Sequence, residues 1–200
     1  MIKKTRLTGI ILAGGKSSRL GRNKGLALLA GRPLISHVIA QLSAVCDEIL
    51  ISANRDQYNR FGHTVIPDEF PGRGPMAGIH ACLKASSAEH HFVVSVDTPF
   101  VSPAFIDFMM DARGEGQIAA PWFGDDHYEP LCAYYSRQVF PVIEAFLENG
   151  NSRIPDVFRV VPFTAVSIPE DAPFSHPMLF HNINTDEDLR LAEKYYSEGS

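Results

Sequence analysis

The sequence predicts a single α/β domain, a three-layer α/β/α, Rossmann-like arrangement in which helices cover both faces of a mostly parallel sheet. Short, continuously apolar runs alternate with stretches whose apolar residues recur every three or four positions. The 200 residues can bury one sizeable core, and 45% hydrophobic with 20% charged residues is ordinary for a globular domain. No repeat, low-complexity stretch or linker divides the chain, so residues 1–200 are expected to form one domain.

The first half of the chain predicts a regular alternation of strands and helices. Strands are expected at 7–12, 48–52, 64–67 and 91–96, and helices at 34–45, 76–86 and 102–113, with a short helical stretch ending near Phe61. Ser102 before Pro103 indicates a helix start, because a serine hydroxyl caps the first backbone N–H groups and proline suits the first helical position. The four apolar strands are typical of a parallel sheet that is buried on both faces.

The second half is less regular. Strands are expected at 117–121, 131–134, 164–168 and 180–183, and helices at 139–149 and after Thr185. Gly150 suits the end of the first of these helices, and Thr185 followed by acidic residues suits the start of the last. On the last strand, the side chains of Asn182 and Asn184 would lie on the same face.

A loop rich in glycine and basic residues follows the first predicted strand. It runs from Leu12 to Lys24 with the sequence LAGGKSSRLGRNK. Glycines let the backbone turn tightly and expose N–H groups to an anion, and arginine and lysine add charge-assisted hydrogen bonds to phosphate oxygens. The spacing matches neither the Walker A loop nor the dinucleotide fingerprint. We therefore predict another kind of phosphate-binding loop, with Arg19 and Lys24 as a cationic clamp and Lys24 neutralising charge on the transferring phosphorus.

Polar residues that follow other predicted strands are expected at the same edge of the sheet, because ligands in such folds bind at the carboxyl ends of the strands. Asp97 is predicted to bind Mg²⁺, which proteins hold through one or two carboxylates completed by phosphates and waters. For Asp68 and Asn54 two interpretations stay open, contact with a base or ribose, or turn formation. Asn182 and Asn184 either steady a phosphate or a metal-bound water, or serve the chemistry of a turn.

The sequence shows no nucleophile paired with a base. No serine lies in the pattern G-x-S-x-G, and no cysteine has an obvious base partner. This absence argues against a hydrolase. It is expected if the nucleophile is a phosphate on the second substrate, since a phosphate monoester is mostly ionised at neutral pH. The protein then has to position two anions and neutralise their repulsion.

Charge and the N-terminus bear on partners and location. A net charge of −5 with no long basic run gives no reason to expect a nucleic-acid partner. Basic residues before the apolar run that ends at Leu12 look like a secretory signal, but the run is short and glycines and Lys16 follow it at once. We therefore expect a cytoplasmic protein without a membrane span.

Five segments together resemble one family of enzymes. They are LAGGKSSRLGRNK at 12–24, PDEFPGRGPMAGI at 67–79, VDTPF at 96–100, EPLCAYY at 129–135 and NINTDEDL at 182–189. The first is typical of nucleotidyltransferases in general. The second and last are similar to those of the molybdenum cofactor guanylyltransferases, in the MobA-like nucleotidyltransferase family. The resemblance spans nearly the whole chain and implies a nucleotide-diphospho-sugar-transferase-like fold.

The resemblance also implies a reaction and a division of the site. The terminal phosphate of Mo-molybdopterin would attack the α-phosphorus of GTP, release pyrophosphate and form the molybdopterin guanine dinucleotide, with Mg²⁺ as cofactor. The N-terminal half would bind GTP and the C-terminal half the acceptor. The nucleotide contacts implied by motif are Leu12, Ala13, Gly14, Gly15, Lys24, Asn54, Asp68 and Asp97, the expected catalytic residues are Arg19, Lys24 and Asp97, and the acceptor contacts are Asn182 and Asn184. Transient contact with proteins of cofactor insertion or molybdoenzyme maturation is implied as well.

Two other functions stay open at this point. One is a related nucleotidyltransferase that uses CTP or a sugar-phosphate acceptor, although sugar-directed relatives tend to be longer than 200 residues. The other is a nucleotide-binding regulator without turnover. Lys24 and Asp97 together argue against the regulator, because binding alone does not require a metal-binding aspartate.

Overall fold

The computed structural model describes residues 6–14, 23–54 and 56–198. The strands are β1 Leu7–Leu12, β2 Leu28–Leu29, β3 Arg32–Pro33, β4 Glu48–Ser52, β5 Thr64–Ile66, β6 His90–Ser95, β7 Ile118–Trp122, β8 Cys132–Ser136 and β9 Phe163–Ser167. The α-helices are α1 Leu34–Ser43, α2 Pro75–Ala85, α3 Pro103–Ala112, α4 Phe140–Glu148, α5 Ile154–Phe158 and α6 Asp186–Glu198. Short 3₁₀ turns cover Lys24–Leu26, Asp56–Phe61 and Arg137–Val139.

Seven strands form the central sheet, in the order β5-β4-β1-β6-β8-β7-β9. β8 is antiparallel to both of its neighbours, and the other pairs are parallel. The prediction of a mostly parallel α/β sheet is therefore confirmed. Because β8 runs antiparallel to β6, the loop before β8 lies at the same edge of the sheet as the loops after β1, β4 and β6.

Helices cover both faces of the sheet, as the apolar strand sequences predict. On β1, Ile11 packs with residues of α1 and α3, while Ile10 packs with residues of α2, α4 and α5 on the other face. Gly9 allows α1 to approach β1 closely, because a Cβ there would lie 3.0 Å from Cδ1 of Leu42. The three-layer prediction is confirmed, and α6 packs separately against the β2–β3 hairpin.

One predicted strand is wrong, and the β2–β3 hairpin and helix α5 were not predicted. Residues 180–183 form no strand, because their described backbone hydrogen bonds close local turns or cross to Asp97, whose carbonyl accepts from Ile183 N at 2.9 Å. Ile183 is nevertheless buried between two less buried asparagines, so the alternation is real although the strand is not. The β2–β3 hairpin and α5 are too short to leave a recognisable apolar period in the sequence, so neither was predicted.

No helix in the described ranges has the length and apolar character needed to cross a membrane.

Candidate active site

The ends of β1, β4 and β6 lie level at one edge of the sheet. Their ladder continues past the strands, with Ala13 N donating to Ser52 O at 2.9 Å and Val96 N donating to Leu12 O at 3.1 Å. The polar residues that follow these strands are therefore brought together, as the sequence predicts. They form two groups of side chains, one on each side of β1.

The first group, the Lys24–Asp97 cluster, consists of Lys24, Ser95, Asp97 and Asn184. Nζ of Lys24 lies 3.0 Å from Oδ2 of Asp97 and also donates to Oδ1 of Asn184. Oδ1 of Asp97 accepts from the Ser95 hydroxyl. Lys24 and Asp97 are both largely shielded from solvent, so their charges interact more strongly than those of an exposed pair. One ammonium thus joins residues from both halves of the chain.

The segment that carries Asn184 is fixed by the start of α6. Oδ2 of Asp188 accepts from the backbone N–H groups of Asn184 and Thr185 at 2.9 and 2.8 Å, and Asp188 N donates to Oγ1 of Thr185 at 3.1 Å. This is a reciprocal capping box of the type that the sequence predicts for the last helix. Burial raises the pKa of Asp188, but these backbone and hydroxyl donors outweigh it and bring that pKa below its usual value. The cap therefore holds a charged carboxylate at neutral pH.

The second group, the Asn54–Asp68 cluster, lies beside the end of β1. Asn54 Nδ2 donates to Oδ2 of Asp68 at 3.0 Å, and Asp68 N donates to Oδ1 of Asn54 at 2.8 Å. The Ser52 hydroxyl donates to the other carboxylate oxygen at 3.1 Å. A Cβ on Gly14 would lie 3.9 Å from Oδ2 of Asp68, so the glycine backbone and this carboxylate are neighbours. Asn54 therefore orients the carboxylate of Asp68. This role is neither of the two interpretations that the sequence left open for Asn54, which were nucleoside contact and turn formation.

Tyr58 fastens the returning end of the glycine-rich loop. Its hydroxyl, on a side chain only 1% exposed, donates to Oδ1 of Asn23 at 2.6 Å and lies 3.5 Å from the carbonyl of Ala13. Oδ1 of Asn23 also accepts from Gly25 N at 3.0 Å, and a Cβ on Gly25 would come within 2.5 Å of the Tyr58 hydroxyl. The residue after Lys24 must therefore be small for the loop to close in this way.

The predicted site residues fall into three groups. Lys24, Asp97 and Asn184 meet in one cluster, and Asn54 and Asp68 meet in the other. The remaining predicted residues have varied placements: Leu12 has its side chain in the core, Ala13 and Gly14 directly follow β1, Asn182 is exposed, and Gly15 and Arg19 lie outside the described residues.

Sequence reasoning missed several residues of this edge. Ser52 and Ser95 lie at the ends of β4 and β6, a position that could have singled them out. Tyr58 gave no signal, because only the fold places it under the loop. Glu129 precedes β8, and burial together with the nearby carboxylate of Asp97 raises its pKa above the ordinary range. The antiparallel direction of β8, which brings Glu129 here, was not evident from the sequence.

The chemistry of the Lys24–Asp97 cluster suits a hard cation. Within the described ranges, no group of three or more His, Cys, Asp or Glu side chains could hold a metal ion. Magnesium needs fewer protein ligands than that, since substrate phosphates and waters complete its shell. Oxygens of Asp97 and Asn184 already converge on one cation, the Lys24 ammonium. Those two residues fit a magnesium ion bound together with a phosphate.

Comparisons with known proteins found a matching family model, curated relatives and a similar solved structure. Residues 9–161 match the model of the MobA-like NTP transferase domain family. The chain is 35% identical over 193 residues to a molybdenum cofactor guanylyltransferase of Vibrio parahaemolyticus, covering 94% of this chain and 96% of the relative. It is 32% identical over 194 residues to a probable molybdenum cofactor guanylyltransferase of Carboxydothermus hydrogenoformans, covering 96% and 97%. Among solved structures, molybdopterin-guanine dinucleotide biosynthesis protein A of Archaeoglobus fulgidus superimposes with a TM-score of 0.82 at 26% identity, covering 96% of this chain and 99% of that one.

Proposed function

Because the chain belongs to the MobA-like NTP transferase domain family, we propose that it transfers GMP from GTP to the terminal phosphate of Mo-molybdopterin. The products are pyrophosphate and the molybdopterin guanine dinucleotide. The names of relatives with more than 30% identity over nearly the whole chain support this choice of nucleotide and acceptor. The observation that carries the proposal is the contact of Lys24 with both Asp97 and Asn184, because it joins the phosphate loop to the C-terminal segment at one point.

The protein's task in this reaction is to hold two anions in line and to neutralise their charge. The attacking group is a phosphate oxygen that is already ionised near neutral pH, so the site needs no side chain as general base. Lys24 would turn from Asp97 and Asn184 toward the α-phosphate, where negative charge is concentrated during transfer. Arg19 and the backbone of Gly14 and Gly15 would bind the outgoing pyrophosphate.

The Asn54–Asp68 cluster would bind the nucleoside. Asp68 presents a carboxylate beside Gly14, oriented by two hydrogen bonds with Asn54. A carboxylate accepts hydrogen bonds from ribose hydroxyls or from the amino and imino N–H groups of guanine. Asn182 and Asn184 would face the acceptor, on the opposite side of β1.

Mg²⁺ is part of the proposal, with Asp97 as its carboxylate ligand and Asn184 beside it. When bound, it supplies positive charge to the triphosphate oxygens and so lowers the cost of bringing the second phosphate close. Lys24 keeps the Asp97 carboxylate compensated before substrates arrive. We also propose a cytoplasmic location and transient contact with proteins of cofactor insertion or molybdoenzyme maturation, which would receive the product.

The test is a substrate matrix with purified protein. GTP or CTP is combined with Mg²⁺ and with molybdopterin or a sugar phosphate, and pyrophosphate and the dinucleotide product are measured. We expect pyrophosphate only with GTP and molybdopterin, and no turnover after chelation of divalent ions. Turnover with CTP or with a sugar phosphate instead would overturn the proposal, as would GTP binding without any pyrophosphate release.

A further inference from the structure

The loop between β7 and β8 is a short hairpin that reaches the candidate active site. Its tip is formed by Gly124 and Asp125, with φ of 99° and 44°. Below the tip, Phe123 N donates to the carbonyl of His127 at 3.0 Å, and Glu129 N donates to the carbonyl of Pro121 at 3.0 Å. These bonds fix the antiparallel register of the hairpin.

The register divides the hairpin into two faces, because successive side chains of an extended chain point in opposite directions. Tyr128 lies on one face and packs its ring against Phe158 and Phe163. Phe123, His127 and Glu129 lie on the other, which we call the Phe123 face. The ring centroids of Phe123 and His127 are 5.3 Å apart, in agreement with this division.

The Phe123 face borders the Lys24–Asp97 cluster on the side away from Asn54 and Asp68. The segment that follows Glu129 pairs with the end of β6, with Ser95 N donating to Leu131 O at 2.9 Å. The Phe123 ring also contacts Phe180, edge to face at 5.3 Å, and Phe180 leads directly to the segment that carries Asn182 and Asn184. The face is thus continuous with the part of the site proposed for the acceptor.

Phe123 presents an exposed aromatic ring that neighbouring rings support. The residue is 47% exposed, and its ring contacts those of His127 and Phe180. Such a ring is suited to stacking on a flat heteroaromatic group. Glu129 adds a carboxylate on the same face, and its half-buried position beside Asp97 leaves it better suited to accept hydrogen bonds than to bind an anion.

On the premise of the proposed function, we propose that the Phe123 face binds the pterin ring of the acceptor. Phe123 stacks on the ring, and the carboxylate of Glu129 accepts hydrogen bonds from the 2-amino group and the adjacent ring N–H. The acceptor's terminal phosphate then extends toward Lys24, while its ring lies beyond β6. Guanine presents a similar edge, but the Asn54–Asp68 cluster on the other side of β1 is assigned to the nucleotide.

Binding of a free pterin tests this without turnover. The fluorescence of the pterin ring itself follows binding, because Trp122, the single tryptophan of the chain, pairs with Tyr128 and lies on the opposite face of the hairpin. The probe is pterin-6-carboxylate, and the matched ligand is lumazine-6-carboxylate, which has a carbonyl in place of the 2-amino group. The variants are Phe123→Ala, Phe123→Tyr and Glu129→Gln, with Val160→Ala as control because Val160 is 60% exposed and lies in the loop before β9.

We expect Phe123→Ala to weaken pterin binding by about 10-fold, a typical loss for one stacked ring, and Phe123→Tyr to restore it. Glu129→Gln is expected to abolish the preference for pterin over lumazine. In turnover, Phe123→Ala should raise KM for molybdopterin and leave KM for GTP unchanged. Equal pterin binding by Phe123→Ala and Val160→Ala would overturn the inference, and so would a rise confined to KM for GTP. If pyrophosphate release fails while pterin binding depends on Phe123, the proposed reaction is wrong and the binding surface stands.

Discussion

Nζ of Lys24 lies 3.0 Å from Oδ2 of Asp97, while the same ammonium reaches Asn184, which is 160 positions away in the sequence. The contact gives a single lysine two tasks. It compensates the charge of the largely buried Asp97 carboxylate, and it ties the C-terminal segment to the glycine-rich loop. A phosphate oxygen of a substrate can replace Oδ2 of Asp97 or Oδ1 of Asn184 as the hydrogen-bond acceptor of the Lys24 ammonium.

Lys24→Met is predicted to lower kcat about 100-fold, the loss typical of removing one charge-stabilising donor from a transition state. The change keeps most of the side-chain length but leaves Asp97 and Asn184 without their shared cation. Pyrophosphate release at saturating GTP and acceptor measures the effect. Lys84→Met is the control, because Lys84 pairs with Glu69 at 2.6 Å on an exposed surface. Unchanged turnover in Lys24→Met, in a protein that melts as the wild type does, would contradict the role.

Asn54→Ala is predicted to raise KM for GTP by about 10-fold, in line with the loss of a hydrogen bond to a charged group. The substitution removes both hydrogen bonds that orient Asp68, although Ser52 still donates to that carboxylate. KM for the acceptor is expected to stay the same, since the two clusters lie on opposite sides of β1. The matched control is Asn59→Ala, in the nearby 3₁₀ turn and exposed. A rise in both KM values would show that Asn54 supports the whole edge rather than the nucleotide.

The sequence predicted the order of the strands and helices well because buried strands and amphipathic helices leave clear periods. It also predicted that Lys24, Asp68 and Asp97 meet at one edge, because parallel strands bring their ends together. The sequence did not predict the residues of this edge that an antiparallel strand or a long-range contact brings there. The antiparallel strand that delivers Glu129 has the same apolar pattern as a parallel strand. Tyr58 acts through a contact across 35 positions that no local pattern encodes.

Asp188→Ala is predicted to impair the acceptor side although Asp188 contacts no substrate. The two backbone N–H groups it binds lie on Asn184 and Thr185, so its loss frees the segment that presents Asn184. We expect a higher KM for the acceptor, an unchanged KM for GTP, and a loss of about 1 kcal/mol in the free energy of unfolding, as for other helix caps. Asp188→Asn should restore most of the acceptor KM, because an amide oxygen can still accept. Glu187→Ala, in the same turn of α6 and exposed, is the neutral control.

His91 is predicted to make the fold sensitive to acid independently of the active site. Its ring is buried on β6, where Nδ1 lies 3.3 Å from the carbonyl of Tyr135 and Nε2 has no hydrogen-bond partner among the residues that the structure describes. Burial lowers its pKa from 6.5 to about 4, although the hydrogen bond to Tyr135 opposes the shift. Between these two values the unfolded chain binds a proton that the folded chain does not. Stability is therefore full above pH 6.5 and falls as the pH drops toward 4, by about 3 kcal/mol in total.

His91→Leu removes this proton binding, so its free energy of unfolding should depend less on pH between 6.5 and 4 than that of the wild type. Urea unfolding at several pH values measures the slope. Val93→Ala, a buried change on the same strand and face, is expected to lower stability equally at every pH and to keep the wild-type slope. If His91→Leu and the wild type show parallel curves, the acid sensitivity arises from other groups, because a buried neutral histidine must otherwise contribute its share of the slope.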